Sequence, residues 1–353
     1  MRSKRILVCP LNWGLGHATR CIPIIRALRA EGHIPVIGTS GRALYLLQQE
    51  FPELEFIHLP DYQITYQKRG SFALKILTSA PTIVKKIQEE QAHLRELVRE
   101  KKIDGVISDN RFGLYSDEVP TVFMTHQVMI KAPAGEKILF KFNKRFIEKY
   151  DECWIPDFEG SENLSGDLAH KFPRSFNHKY IGPLSRFAPR GANPDPKYQV
   201  LALISGPEPQ RGYFEKIVVE QLEELGIRGV VVRGITEQQK VERRGKIQFY
   251  NYCTSDDLEE LIYQSELVVS RSGYTTVMDL CVSGKKAVFC PTPGQTEQEY
   301  LAKQLDDKGL VPHFEQDEFN LRDAMVKSID YAGLPRFDMT QRNWGELFKL
   351  FSK

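Results

Sequence analysis

Short apolar runs alternate with longer segments of helical periodicity along most of the chain. Runs such as Arg5–Cys9, Ile34–Gly38 and Gly105–Ser108 are too short for helices and are flanked by polar turns. Apolar strands of this kind suit sheets that are covered on both faces, and the alternation of strand and helix is typical of parallel sheets. The pattern therefore predicts an α/β fold.

A change of composition divides this pattern into two similar halves. Prolines and glycines crowd together between Gly182 and Lys197, as expected of an extended linker, and the alternation restarts at Gln199–Ile204. Apolar residues recur at helical spacing from Trp344 to Phe351. We expect one Rossmann-like domain over 1–183, joined by a C-terminal helix over 337–353 that packs back on it, and a second over 184–336.

Composition excludes several classes of protein. The chain has 353 residues, 41% of them hydrophobic, and a formal charge of +2, which favours a globular protein over a disordered chain or a nucleic-acid-binding protein. The six cysteines show neither paired spacing nor a zinc-binding pattern. The apolar run at the N-terminus is too short for a signal peptide. We expect reduced thiols and a cytoplasmic location.

A glycine-rich loop follows the first predicted strand. Asn12-Trp13-Gly14-Leu15-Gly16-His17 precedes the first helix, and its glycines allow a tight turn that exposes helix amides to anions or sugar oxygens. Dinucleotide binding is disfavoured, because Thr19 replaces the third glycine and the second strand ends in Thr39-Ser40-Gly41, without an acidic residue.

Three residues, one beside a predicted helix start and two at predicted strand ends, are candidate bases. His17 comes first, since a helix N-terminus disfavours the imidazolium; a helix-capping or solvated histidine is the alternative. Asp109, which follows a short strand, is expected to act as a base or to orient His17, or else to cap a turn. His126 ranks third.

The second half contains three polar loops at predicted strand ends. Ser205–Gly212 offers a hydroxyl, amides and Arg211 to a diphosphate, and Ser270–Asp279 is a turn that leads into a helix. There the Asp279 carboxylate is suited to two ribose hydroxyls, or to the helix dipole. A third loop ends in Gln298 and Glu299, which suit a sugar or simply a solvated helix start.

Taken together, these loops resemble the GT-B glycosyltransferases, and within them the group that contains the peptidoglycan enzyme transferring GlcNAc from UDP-GlcNAc to lipid I. The resemblance implies two Rossmann-like domains that face each other across a cleft. Three positions depart from the family pattern: Pro207–Pro209 replaces a glycine-rich stretch, Ala302 stands where Asn is frequent, and Asp279 replaces Glu.

The resemblance also implies roles for individual residues. The nucleotide and its phosphates would be bound by Ser205, Gly206, Arg211, Arg271, Ser272, Gly273 and Asp279. The donor sugar would be bound by Thr275, Gln298 and Glu299. The acceptor-side loops would be those of Asn12, Gly14, Gly16 and His126, with His17 and Asp109 as catalytic residues.

The function expected from these residues is inverting transfer of GlcNAc or a related hexose from a UDP-sugar to an acceptor hydroxyl. No Asp-x-Asp motif is present, so we expect neither a metal nor a cofactor, with the UDP-sugar as a substrate. Two alternatives stay open: a sugar-nucleotide epimerase of the same fold, and a non-catalytic nucleotide-sugar-binding protein.

The expected partners are a nucleotide-sugar and a saccharide or lipid-linked acceptor of the cell envelope, and not a nucleic acid. Apolar and basic residues alternate from Lys137 to Lys149. This pattern fits peripheral association with the inner face of a membrane. It fits equally well a helix that packs on the core while its lysines extend to solvent.

Overall fold

The computed structural model describes residues 3–61, 72–100, 102–132, 135–173, 175–337 and 342–352. The chain forms two compact units: Met1–Leu184 together with Gln341–Lys353, and Ser185–Thr340. The second unit thus begins at Ser185, one residue after the boundary at residue 184 that was predicted from the sequence. The return to the first unit begins at Gln341 rather than at residue 337.

The first unit consists of one parallel β-sheet and the helices that lie between its strands in the sequence. Its described strands are β1 Arg5–Pro10, β2 Ile34–Thr39, β3 Glu55–His58, β4 Gly105–Asp109, β5 Thr121–Met124, β6 Glu152–Ile155 and β7 His178–Tyr180. They pair in the order β3-β2-β1-β4-β5-β6-β7. The helices are α1 Leu15–Ala30, α2 Gly41–Glu50, α3 Phe72–Arg99, α4 Glu136–Ile147 and α5 Asp167–His170.

The second unit repeats this architecture. Its described strands are β8 Tyr198–Leu203, β9 Gly229–Val232, β10 Val241–Arg244, β11 Ile247–Tyr250, β12 Ser265–Ser270 and β13 Lys286–Phe289, in the order β10-β11-β9-β8-β12-β13. All pairs are parallel except β10 with β11. The helices are α6 Gln210–Leu225, α7 Ser255–Tyr263, α8 Tyr274–Ser283, α9 Thr296–Asp307 and α10 Leu321–Lys327.

The C-terminal segment belongs to the first unit. It forms a short helix, α11 Trp344–Phe348, and a 3-10 turn over Lys349–Ser352, a shorter helix than the one predicted over 337–353. The Phe351 ring lies 6.4 Å from that of Trp154 and is fully buried. The segment is held by these aromatic contacts, because a helix of one or two turns is not stable alone.

Apolar strands account for the two cores. In the second unit, Val200 of β8, Val231 of β9 and Val269 of β12 pack with Phe214 and Leu222 of α6, all fully buried. Burial of each such side chain stabilises the fold by roughly 1.5–3 kcal/mol. The α/β prediction is therefore confirmed. The short strands β6, β7 and β10 were missed, because their sequences contain charged or polar residues (Glu152 in β6, His178 and Lys179 in β7, and Glu242 to Arg244 in β10) and are not apolar runs.

All six cysteines are buried and unpaired. No helix among the described residues combines the length and the apolar character needed to cross a bilayer.

Candidate functional site

The register of the first sheet brings three loops to one edge. Asp109, the last residue of β4, pairs with Pro10 of β1 on one side and with Met124 of β5 on the other. The glycine loop after β1 and the His126 loop after β5 therefore flank the end of β4. The predicted residues His17, Asp109 and His126 meet here although they are distant in sequence.

The glycine loop starts α1 without a side-chain cap. Gly14 is the N-cap residue, and its φ of +83° is a left-handed conformation that favours glycine. The helix start therefore has no hydrogen bond from an N-cap side chain. Gly16 accepts a hydrogen bond from Thr19 Oγ1 at 3.2 Å. Asn12 is engaged within the protein, since its Nδ2 donates to Asp61 Oδ2 at 2.8 Å and its Oδ1 accepts from the Ala43 amide.

Asp109 is the centre of a buried polar cluster. Its Oδ1 lies 3.1 Å from His17 Nδ1, and its Oδ2 accepts a hydrogen bond from Arg20 Nε at 2.6 Å. A second Arg20 nitrogen, Nη2, donates to Oδ1, so the guanidinium binds the carboxylate as a fork. Burial opposes ionisation of Asp109, but the Arg20 charge and the contact with His17 lower its pKa to about 2.

The backbone around Asp109 is held in place by a second ion pair. Asn110 adopts the left-handed φ of +57°, and Arg111 Nε donates to Glu90 Oε1 of α3 at 2.7 Å, with both side chains fully buried. Arg111 also accepts from the Tyr150 hydroxyl through its carbonyl, at 2.6 Å. These contacts fix the turn after β4 and with it the direction of the carboxylate.

The second sheet brings another three loops to its own edge. Ser270, the last residue of β12, pairs with Leu203 of β8 and with Phe289 of β13. The loops that carry Ser205, Arg271 and Thr292 therefore start side by side. Helices α6, α8 and α9 follow these loops, and their N-caps in the described structure (Pro209, Gly273 and Gln295) make no side-chain capping hydrogen bond.

Two buried hydroxyls at this edge are unpaired. Ser270 Oγ and Thr292 Oγ1 have no hydrogen-bond partner among the described residues, and both residues are at least 98% buried. Gly206 adopts φ +106°, and a Cβ at that position would lie 3.5 Å from Thr292 Oγ1. Uncapped amides and unpaired hydroxyls together suit an anionic ligand, because each needs an acceptor.

The predicted sugar-binding residues brace the loop after β13. Gln298 Oε1 accepts from the Thr292 amide and Glu299 Oε1 accepts from the Gly294 amide, both at 2.8 Å. Ser272 Oγ donates to the Gln298 carbonyl at 2.7 Å, which joins the loops after β12 and β13. Thr275 lies in the first turn of α8 and is buried.

Arg271 is the clearest departure from the predicted nucleotide contacts. Its guanidinium is buried, where it donates to the carbonyls of Cys290, Pro291 and Gln210 and to Gln316 Oε1. Burial lowers its pKa to about 10. Its described contacts therefore brace three loops, and the binding of a nucleotide phosphate by Arg271 stays a prediction.

The other two charged residues predicted to bind nucleotide also have partners in the protein. Arg211 Nε donates to Glu208 Oε1 at 2.6 Å and its Nη1 donates to Glu215 Oε2 at 2.9 Å. Asp279 accepts from Ser185 Oγ at 2.7 Å and lies 3.5 Å from Arg186 Nε. Burial raises the pKa of Asp279. A ligand would have to exchange with these partners.

Comparisons with known proteins agree with this architecture. Residues 216–336 match the C-terminal domain of glycosyltransferase family 28. The chain is 24% identical, over 97% of its length and 95% of the relative's, to an uncharacterized glycosyltransferase of Methanosarcina acetivorans. It is 23% identical, over 93% of its length and 90% of the relative's, to the UDP-N-acetylglucosamine–N-acetylmuramyl-(pentapeptide) pyrophosphoryl-undecaprenol N-acetylglucosamine transferase of Haemophilus influenzae.

The fold comparison agrees as well. The crystal structure of the glycosyltransferase SnogD from Streptomyces nogalater superposes with a TM-score of 0.63 over 99% of this chain and 100% of that one, at 13% identity. The chain is a glycosyltransferase with the GT-B fold. The resemblance inferred from its loops is thereby confirmed.

In this glycosyltransferase, sequence reasoning missed Arg20. A signal was present, because Arg20 follows His17 by three residues on α1 and the two therefore share a helix face. Its buried position beside Asp109 became visible only in the structure. Within the described ranges, no group of three or more His, Cys, Asp or Glu side chains is arranged as a metal site.

Proposed function

We propose that the enzyme transfers a sugar from a UDP-linked donor to an acceptor hydroxyl with inversion at the anomeric carbon, using no metal. The second unit binds the donor, and the first unit binds the acceptor and supplies the base. The observation that carries this proposal is the pair formed by His17 Nδ1 and Asp109 Oδ1, 3.1 Å apart at the end of a buried strand.

The pair is built for proton removal. Asp109, whose pKa is lowered to about 2, is ionised at neutral pH and holds the Nδ1–H of His17, which leaves Nε2 to accept a proton. The acceptor hydroxyl loses its proton to Nε2 while its oxygen attacks the anomeric carbon. The bond from that carbon to the diphosphate oxygen breaks, and UDP leaves with the bonding electrons. A single displacement of this kind inverts the configuration.

The second edge is suited to the leaving group. The N-cap residues of α8 and α9 make no side-chain capping hydrogen bond, and main-chain amides at these helix starts would stabilise the growing charge of a diphosphate. In the first turn of α6, the Gly212 amide donates to Glu208 Oε2 at 3.2 Å. Ser205, Gly206, Ser272 and Gly273 lie in the loops before α6 and α8. Asp279 binds the ribose by exchanging the Ser185 hydroxyl for a ribose hydroxyl, and Gln298 and Glu299 orient the sugar.

The acceptor carries an apolar part next to its reactive hydroxyl. Trp13, Phe112, Phe142 and Phe146 pack with buried Leu11 beside the glycine loop, and they are only partly buried. Aromatic surface of this kind suits a lipid chain or an aromatic ring better than a free sugar. The Haemophilus influenzae relative, named for an undecaprenol-linked acceptor and UDP-N-acetylglucosamine, supports GlcNAc as the sugar and a lipid-linked acceptor.

The test compares two histidines in matched settings. His170 Nε2 lies 3.1 Å from Asp157 Oδ2 with its side chain 15% exposed, and His17 lies 3.1 Å from Asp109 with its side chain 13% exposed. With UDP-GlcNAc and octyl glucoside as substrates, we expect His17→Gln to lower kcat/KM by about 10²–10⁴-fold. His170→Gln retains turnover, and both variants retain the affinity for UDP measured by calorimetry.

Two results contradict the proposal. Equal turnover by wild type and His17→Gln would show that His17 is not the base. Preference for GDP over UDP would show that the donor is not UDP-linked. Conversion of UDP-GlcNAc alone into a second UDP-sugar would instead identify an epimerase.

A further inference from the structure

The carboxylate of Glu208 occupies the start of α6. Its Oε1 accepts a hydrogen bond from Arg211 Nε at 2.6 Å and lies 2.5 Å from Arg211 Nη2. Its Oε2 accepts from the Gly212 amide at 3.2 Å. A guanidinium edge and a main-chain amide in the first turn of a helix are the donors that a phosphate group uses. The protein therefore supplies an anion of its own at this helix start.

Glu208 is the partner that is most easily exchanged at this turn. The Arg211 amide donates to the Pro207 carbonyl at 3.0 Å, and this contact belongs to the turn itself, so it is lost only if the turn opens. The contacts of the Glu208 carboxylate are lost by rotation of one side chain. That side chain is 59% exposed, so it rotates into solvent.

Arg211 keeps its position when Glu208 leaves. Its Nη1 donates to Glu215 Oε2 at 2.9 Å and to the Arg233 carbonyl at 3.1 Å. The Arg211 side chain is only 12% exposed. Because an ion pair with one well-exposed member contributes little to stability, its loss is a small cost. Nε and Nη2 of Arg211 then remain directed at the place that the carboxylate has left.

A separate observation points to a ligand at the same place. Thr292 Oγ1 is buried and has no hydrogen-bond partner among the described residues. It lies beside Gly206, in the loop before α6, where a Cβ would approach it to 3.5 Å. A buried hydroxyl without a partner is accounted for when a bound ligand accepts its hydrogen bond. Arg271 Nη2 donates to the Gln210 carbonyl at 3.0 Å, which joins the loop after β12 to the start of α6.

We propose that Glu208 is a resident anion that the diphosphate of the donor displaces, and that it thereby sets the affinity of the site for nucleoside diphosphates. The proposal rests on the proposed function, which places the donor at this edge of the second sheet. Diphosphate oxygens take over the Arg211 and Gly212 donors, and Glu208 turns to solvent. A diphosphate completes this exchange because it carries more charge and more acceptors than a carboxylate, whereas a nucleoside without phosphate leaves Glu208 in place.

Calorimetric titration of the full-length protein with UDP tests the exchange. We expect Glu208→Gln to lower the Kd for UDP about fivefold, the size of an exposed ion pair, and to leave the Kd for uridine unchanged. Glu220→Gln is the matched control, because Glu220 also lies on α6, is 56% exposed and faces Lys216 at 3.8 Å. It should leave both Kd values unchanged. An unchanged or higher Kd for UDP in Glu208→Gln would overturn the proposal, since a residue that merely orients Arg211 would assist binding.

A double-variant cycle separates exchange from simple charge repulsion. In an Arg211→Met background, we expect Glu208→Gln to change the Kd for UDP by less than twofold, because the carboxylate no longer competes for a guanidinium. A fivefold gain that persists in this background would come from the removal of a negative charge alone. That result would overturn the exchange at Arg211.

Pyrophosphate distinguishes failure of this proposal from failure of the proposed function, because its binding requires no recognition of uridine. Titration followed by ³¹P NMR measures it. Tighter binding of pyrophosphate by Glu208→Gln than by wild type, in a protein that does not bind UDP, would support the exchange and overturn the UDP-linked donor. Equal binding of pyrophosphate by the two proteins, with UDP bound equally by both, would retain the donor and overturn the exchange.

Discussion

At the edge of the first sheet, the opposite charges of Asp109 and Arg20 are buried together with two histidines. At the equivalent edge of the second sheet, buried Arg271 is turned onto main-chain carbonyls, and the groups left without partners include the neutral hydroxyls of Ser270 and Thr292 as well as Arg271 Nε. The same architecture thus supports two kinds of chemistry. Proton transfer requires a titratable group whose orientation and proton affinity are set by its neighbours, whereas anion binding is achieved with main-chain amides and hydroxyls.

The strongest test of this comparison removes the carboxylate from the first edge. Asp109→Asn leaves the Arg20 guanidinium buried without a counter-charge, so we expect the free energy of unfolding to fall by about 3–5 kcal/mol. Urea denaturation at pH 7 measures it. The double variant Asp109→Asn with Arg20→Gln should recover part of the loss, and strictly additive losses would mean that the two side chains do not interact.

At the second edge, Arg271→Met separates stability from ligand binding. It removes the donor from several buried carbonyls, so we expect a loss of about 2–3 kcal/mol in unfolding free energy and little change in the affinity for UDP of the folded protein. Arg211→Met, whose partners are carboxylates, serves as the comparison for charge removal. A stable Arg271→Met protein that no longer binds UDP would instead support the sequence-based assignment of Arg271 to the nucleotide.

The pH dependence of stability should differ in sign between the two edges. Asp109 has a folded pKa of about 2 against an ordinary 3.8, so its stabilisation is present above about pH 4 and is lost as the pH falls toward 2. The stability gap between wild type and Asp109→Asn should shrink by on the order of 2 kcal/mol over this range.

Asp279 provides the opposite case for the same experiment. Its pKa is raised by burial, so wild type should gain stability relative to Asp279→Asn as the pH is lowered from neutral through that raised pKa. Urea denaturation of the three proteins from pH 7 to pH 2 measures both trends. Parallel trends for the two carboxylates would contradict the contrast between the edges.

The smallest expected effect on stability comes from Thr292→Val, which removes an unpaired buried hydroxyl at nearly constant volume. The unfolding free energy should change by no more than about 0.5 kcal/mol, while the affinity for UDP falls roughly tenfold, because a hydrogen bond to a charged ligand is lost. Thr39→Val is the control, since its hydroxyl already donates to the Pro10 carbonyl at 2.9 Å. Unchanged UDP affinity in Thr292→Val would remove this hydroxyl from the donor site.

Much of the candidate site could be predicted because parallel strands end at one edge. The sequence placed Asp109 and His126 at strand ends and His17 beside the helix start that follows β1, and the observed register brings these loops together. The same reasoning did not predict the contacts of Arg271 with neighbouring loops, because a residue at a strand end faces either the ligand or the loops behind it. Sequence spacing does not distinguish these directions.

The sequence by itself determined the α/β class, the two similar units and the loops that follow their strands. Apolar periodicity and proline-rich linkers are local signals, so neighbouring residues suffice to reveal them. Only the tertiary structure decided which charged side chains are engaged by one another. Arg20 lies 89 residues from Asp109 and 106 residues from His126 along the chain. Contacts across such separations depend on the register of the sheet and on burial. Burial matters because a charged group removed from water is costly unless it is paired.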